Sequence, residues 1–115
     1  LIDAPVRARI AKWYDAHSGE QFLAFYRDTD LPVEDSGTFG IVLTDHRLIL
    51  RKYNAIREFP IKQPDRLECV KKGDHAVVHI YEEGHRPAVI HIDLVDIDNL
   101  TNGLQKLHCH WVVSR

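Results

Sequence analysis

The sequence lacks methionine and has only two cysteines, Cys69 and Cys109, neither of them in a CxxC pair. Two thiols so far apart do not form a disulfide framework, so the composition favours a reducing, intracellular setting. No apolar run approaches the roughly 18 residues that a membrane-spanning helix needs. Because the chain starts at Leu1 without a methionine, we expect a fragment of a longer, cytoplasmic protein that is at most peripheral to a membrane.

Catalytic motifs are also missing. Ser18, Ser36 and Ser114 lack the flanking glycines of a G-x-S-x-G elbow, and no glycine-rich phosphate loop precedes a helix. These absences favour a protein that is not an enzyme and uses no cofactor.

The 115 residues, 44% of them hydrophobic, suffice for one domain with a single core. Asp3 and Pro5 mark a helix start, and apolar residues recur at helical spacing until Ser18 and Gly19. We expect an N-terminal helix within residues 1–19 and a β-rich unit over residues 20–115. A helix this short has only marginal stability in isolation. We therefore expect it to pack on the sheet or on a second subunit rather than to lie on a membrane surface.

Alternating apolar residues predict seven strands after this helix. A hairpin turning at Thr44, Asp45 and His46 has the clearest alternation. The predicted strands lie at residues 20–27, in the two arms of the hairpin over 38–52, and at 55–61, 66–71, 75–82 and 88–94. We expect Asp45 to accept hydrogen bonds from the backbone N–H groups that follow it, with Thr44 supporting the same corner.

Helical periodicity returns at the end of the chain. Apolar residues spaced by three and four predict a helix from about Asp96 to Val113, with Asp96 as its N-cap. Gly103 costs about 1 kcal/mol relative to alanine, which indicates close packing there or a weak helix. The predicted core consists of Phe39, Ile41, Leu43, Leu48, Leu50, Val78, Ile80, Ile90, Ile92, Leu100, Leu104, Leu107 and Trp111.

Two segments resemble the bacterial branch of the pleckstrin-homology (PH) and GRAM-like domains. Residues Gly40 to Leu50 are similar to the LTDxRLI hairpin of that branch, and Phe59 to Ile61 followed by Arg66 to Val70 are similar to its fourth and fifth strands. The resemblance covers about Glu20 to Trp111. It implies a mainly β (α+β) fold: a seven-stranded antiparallel, partly open barrel capped by the C-terminal helix, here with an extra N-terminal helix.

Many PH domains bind inositol phosphates through basic residues on the first two strands and the loop between them. Here that loop, residues 28–37, carries four carboxylates and no Lys or Arg. It would repel a phosphorylated headgroup, so we do not expect phosphoinositide binding.

A different basic surface is predicted further along the chain. Between Arg47 and Lys72 there are eight Lys or Arg residues against three Asp or Glu, although the whole chain has a net charge of −2. If they gathered on one outward face, these side chains would bind an anionic membrane surface or an acidic partner. The alternative is a solvated sheet face. The residues of this predicted surface are Arg47, Arg51, Lys52, Arg57 and Lys62.

Eight histidines raise the question of a metal site. His79 and His91 fall on the polar faces of two strands that we expect to pair, with Asp93 or Tyr81 nearby. Two histidines and a carboxylate can form an open metal site. The alternative, which the sequence favours, is an exposed cross-strand pair.

The function expected from the resemblance is that of a non-catalytic adaptor module within a larger protein. It would bind a protein partner, self-associate through an open strand edge, or sit at a membrane. The competing expectation is a small-molecule or metal-binding domain that uses the face of His79 and His91. A thin supply of aromatics beside basic residues argues against nucleic acid.

Overall fold

The computed structural model describes residues 2–61, 67–80, 88–107 and 112–114, and the chain is mainly β. In chain order the elements are α1 (Ala4–Ile10), β1 (Phe22–Arg27), a 3₁₀ turn (Val33–Asp35), β2 (Gly40–Thr44), β3 (Arg47–Lys52), β4 (Ala55–Pro60), β5 (Leu67–Lys72), β6 (His75–Ile80), β7 (Ala88–Asp93), α2 (Leu94–Lys106) and β8 (Val112–Ser114). The seven predicted strands are all present.

The strands form two four-stranded sheets. The first sheet has the order β1-β2-β3-β4 and the second the order β7-β6-β5-β8. Every pairing among β1 to β7 is antiparallel, as predicted, whereas β8 pairs parallel to β5 with Cys69 opposite Val113.

The two sheets do not close into the predicted barrel. Across the described ranges, no strand of one sheet is laddered to a strand of the other. The N–H of Thr29 donates a 2.8 Å hydrogen bond to the carbonyl of His91 in β7. This bond joins the two sheets at a point just beyond the end of β1. Alternation in a sequence specifies which face a side chain occupies but carries no information about which strand edges meet, so closure was not predictable from it.

Thr44, more than Asp45, fixes the β2–β3 hairpin. The Thr44 hydroxyl accepts hydrogen bonds from the backbone N–H groups of His46 (3.1 Å) and Arg47 (2.9 Å). Asp45 accepts from the N–H of Gln21 (2.9 Å) and so ties the hairpin to the chain just before β1. The resulting register, with Leu43 opposite Leu48, sends alternate side chains to opposite faces.

Both faces of this hairpin are buried, although the alternation predicted one. Leu43 and Leu50 face the main core between the sheets, while Val42 and Ile49 pack beneath α1. Phe39, a predicted core residue, is only half buried and lies outside that core. It precedes β2 and instead packs its ring edge-on against Tyr53, with the ring centroids 5.3 Å apart.

The C-terminal helix closes the main core. Ile97, Leu100 and Leu104 on α2 are fully buried, and Leu107 packs partly buried against the same cluster. The remaining core positions that the sequence predicted and the structure buries are Ile41, Leu43, Leu48, Leu50, Val78, Ile90 and Ile92. The side chain of Ile80 and all of Trp111 lie outside the described part of the chain.

The bounds of α2 differ from the predicted helix at both ends. It begins at Leu94, because Asp93 has the extended backbone of an N-cap (φ −61°, ψ 147°), and it ends at Lys106. Val112 and Val113, predicted to be helical, lie in β8. A Cβ on Gly103 would lie 2.9 Å from Leu43 Cδ2, so this glycine marks close packing of the helix on the sheet.

The N-terminal helix is also shorter than predicted. Asp3 caps it by accepting from the N–H of Val6 at 3.2 Å. It ends at Ile10, after which the chain tightens through a bond from the N–H of Trp13 to the carbonyl of Ile10. The Trp13 indole N–H then donates to the carbonyl of Gly37 at 2.8 Å, which anchors the helix to the loop before β2.

Candidate functional site

The predicted basic residues do not gather on one face. Alternation along β3 puts Arg47 and Arg51 on the α1 side with Ile49, and Lys52 on the opposite side. Arg57 on β4 lies opposite Leu50 and so shares the face that turns towards the core. Lys62 lies outside the described residues. A binding role for these side chains stays a prediction.

Arg47 is buried in an ion pair with Glu20. Its Nε lies 2.6 Å from Glu20 Oε2 and its Nη2 lies 2.8 Å from Glu20 Oε1, a two-point contact between side chains that are 9% and 1% exposed. The guanidinium also donates to Glu58 (2.7 Å) and to the carbonyl of Asp15 (2.8 Å). The positive charge of Arg47 is therefore neutralised by carboxylates of the same chain.

Tyr14 and Thr44 complete this ion pair. Both hydroxyls donate to Glu20, each at 3.0 Å, and the N–H of His17 donates to it at 3.1 Å. The hydrogen bonds from Arg47 hold the pKa of Glu20 well below its usual range. Burial, followed by the bond to Glu20, raises the pKa of Tyr14 to about 12. We call Tyr14, Glu20, Thr44 and Arg47 the Glu20 network.

Acidification is expected to destabilise the domain through Glu20. The unfolded carboxyl has a pKa near ~4.3, whereas the folded one is lower, so between these values only the unfolded state binds the proton. The contribution of Glu20 is complete above about pH 5.5 and is lost as the pH falls through the folded pKa. Urea unfolding at several pH values measures this slope. In Glu20→Gln the stability lost between neutral and acidic pH should be smaller, and an equal loss would contradict the prediction.

Lys52 is likewise engaged with carboxylates. Its ammonium contacts Asp28, whose side chain is fully buried, and lies 2.7 Å from Asp30. Burial opposes the charged form of Lys52, but the bonds to Asp28 and Asp30 outweigh it and raise the Lys52 pKa. The acidic loop that was predicted to repel a phosphate thus neutralises the first sheet's own lysine.

The histidine pair differs from the predicted one. His79 lies opposite Val89, whereas the ring of His91 faces His75, with centroids 5.6 Å apart. His91 Nε2 is 3.9 Å from Asp30 Oδ2, the same oxygen that accepts a hydrogen bond from Lys52. No group of three or more His, Cys, Asp or Glu side chains within the described ranges is arranged to hold a metal ion. The metal-binding alternative therefore gains no support from this region.

A groove of about 630 Å³ lies between α1 and β1, and its lining is mostly apolar. The lining residues are Ile2, Arg7, Ile10, Ala11, Tyr14, Phe22, Leu23, Ala24 and Phe25. Arg7 is the only charged residue among these nine. The volume falls in the range of pockets that hold small-molecule ligands.

A β-bulge shapes this groove. The register of β1 against β2 shifts between Phe22 and Ala24, which leaves Leu23 as an extra residue. Because of the bulge, Phe22 and Phe25 both pack on the α1 side although they are three residues apart. Leu23 is 42% exposed, an unusual position for a leucine within a strand. The groove was not predicted, because Phe22 to Tyr26 forms one apolar run in the sequence, and the failure of alternation within it was the only signal.

The first strand also forms one edge of its sheet. The Asp28 N–H donates to Phe39 at 3.1 Å, while the Thr29 N–H points the other way, to His91. Continuing this alternation back along β1 directs the N–H and C=O of Phe25 away from β2, towards the groove. The groove therefore combines apolar walls with an edge capable of backbone hydrogen bonding.

Comparisons with protein-family models, with curated proteins and with solved structures give no match. No helix in the described ranges is long and apolar enough to span a bilayer.

Proposed function

We propose that this chain is a non-catalytic adaptor module of PH-like architecture that binds a partner protein in the groove beside β1. The observation that carries the proposal is the apolar groove itself, with Leu23 exposed on a strand edge. Apolar patches rimmed by polar residues and exposed sheet edges are typical of protein interaction sites.

The charges favour a protein partner over a membrane surface. Of the five basic residues predicted to meet anionic lipid, Arg47 and Lys52 are nearly buried and paired with carboxylates. Each such pair removes about 1 kcal/mol of the attraction that a free basic side chain contributes at an anionic surface. The PH-like order of seven antiparallel strands followed by a helix supports an adaptor role only as an analogy of fold.

A selection from displayed random 12-residue peptides tests the proposal. Peptides enriched on the wild type should bind Leu23→Arg at least ~10-fold more weakly, because a charge would enter the apolar groove; tenfold corresponds to about 1.4 kcal/mol. The matched control is Val95→Arg, since Val95 is 78% exposed on α2 and does not line the groove.

Two outcomes would count against the proposal. One is a selection without enrichment, and the other is enriched peptides that bind Leu23→Arg as well as the wild type. Co-sedimentation with anionic vesicles provides the membrane comparison: salt-sensitive binding that Leu23→Arg leaves unchanged would favour a peripheral membrane role. Sedimentation velocity of the wild type and of Leu23→Arg would reveal whether a second copy of the chain is the partner.

A further inference from the structure

We infer that the groove binds an extended, acidic peptide segment, which adds to the edge of β1 as a new strand and places a carboxylate against Arg7. The inference rests on the proposed function and specifies the mode of binding and the chemistry of the partner. Its three supports are the edge of β1, the walls of the groove and the charge at its rim.

The edge of β1 is divided between two surroundings. Near Thr29 it meets β7 through the bond to the carbonyl of His91. Phe25 lies four residues earlier, about 13 Å away along an extended chain, and there the edge borders the groove. Because the N–H and C=O of Phe25 point away from β2, an incoming backbone can pair with them. The part of the edge within the groove, Leu23 to Phe25, is long enough for a short added strand.

The groove walls suit alternate side chains of such a strand. The lining includes Ile10 of α1, Tyr14 just after that helix, and Phe22 and Phe25 of β1. Successive residues of an added strand point to opposite faces, so every second side chain would face these apolar walls. An aliphatic ligand such as a fatty acid could fill the same volume, but it would make no use of the backbone edge.

The charge at the rim indicates an acidic occupant. Arg7 is the single charged lining residue, and one of its N–H groups donates to the carbonyl of Ile2 at 3.1 Å. A guanidinium carries five N–H donors and pairs with carboxylates through two of them. No carboxylate is among the nine lining residues, so an Asp or Glu of the partner complements the groove.

Amide hydrogen exchange of the ¹⁵N-labelled protein, with and without a saturating peptide from the display selection, tests the strand addition. The Phe25 amide should exchange at least ~10-fold more slowly with peptide, because it gains a hydrogen bond. The amides of Ala24 and Tyr26, which the alternation directs to β2, should change much less. A Leu23-dependent peptide that leaves Phe25 exchange unchanged would overturn this inference, while the adaptor proposal would stand.

Substitution of Arg7 tests the charge. Arg7→Gln should weaken the peptide at least ~10-fold, and the loss should disappear for a peptide whose acidic residues are replaced by amides. Lys12→Gln removes an exposed cation just after α1 that does not line the groove, and it should leave binding within ~2-fold. Equal binding of the peptide to wild type and to Arg7→Gln would also overturn the inference. So would palmitate that displaces the peptide, depends on Arg7 as strongly as the peptide does and leaves the exchange of the Phe25 amide unchanged. A selection that yields no groove-dependent peptide would overturn both proposals.

Discussion

Glu20→Ala is expected to destabilise the domain by about 3–5 kcal/mol. The substitution removes the two-point partner of the Arg47 guanidinium, which is 9% exposed and keeps only the half-exposed Glu58 and the carbonyl of Asp15 as acceptors. Removing one partner of a buried ion pair costs this much. It also removes the acceptor of the Tyr14 and Thr44 hydroxyls. Urea unfolding followed by far-ultraviolet circular dichroism at neutral pH measures the change.

A matched variant and a double variant make this prediction specific. Glu34 is an exposed carboxylate in the 3₁₀ turn, and Glu34→Ala should change stability by no more than about 0.5 kcal/mol. Replacing both partners, as in Glu20→Leu with Arg47→Met, should recover much of the loss, because two apolar side chains leave no buried charge behind. If Glu20→Ala were no more destabilising than Glu34→Ala, the ion pair would not stabilise the fold as described.

Gly40→Ala is expected to cost about 3 kcal/mol. Gly40 has a φ of +152°, and a Cβ there would lie 2.2 Å from the carbonyl oxygen of Tyr26 and 2.8 Å from the ring of Phe25. The contact is with backbone, so relief requires β1 and β2 to separate. The cost combines an unfavourable backbone conformation with overpacking, each of about 1–3 kcal/mol. The change is read from the urea midpoint.

Gly19→Ala separates these two contributions. Gly19 also has a positive φ, +79°, but a Cβ there would meet nothing within 4 Å. Its replacement should therefore cost only about 1–2 kcal/mol, from the backbone alone. If the two alanine variants were equally stable, the close approach of β1 to β2 at Gly40 would be wrong.

The sequence predicted the β2–β3 hairpin well because its information is local. Ile41 and Leu43 alternate with their neighbours over a turn too short to allow another register. The same reasoning failed at the end of the chain, where the helical spacing continued past Lys106 but Val112 and Val113 form a strand. Two adjacent β-branched residues favour a strand. The prediction gave more weight to the helical spacing of the preceding residues and was therefore wrong here.

The site was harder to predict because it depends on residues far apart in the chain. Arg47 lies on the α1 side of β3, where Glu20, 27 residues earlier in the chain, pairs with it and neutralises its charge. The alternation of charged residues gives no sign of such a pairing. The groove beside Leu23 depends in the same way on a bulge and on the position of α1, neither of which has a distinct sequence pattern.

The hydroxyl of Tyr14 has a consequence for how tightly the groove can hold its occupant. Tyr14 forms part of one wall, and its bond to Glu20 fixes that wall to the buried ion pair before anything binds. A rigid receptor surface loses little conformational entropy on association, so most of the ordering cost would fall on the incoming segment. Tyr14→Phe would keep the ring but remove the hydrogen bond to Glu20. The affinity of the groove for its peptide should then decline because the wall is less preorganised, although its apolar contacts are kept.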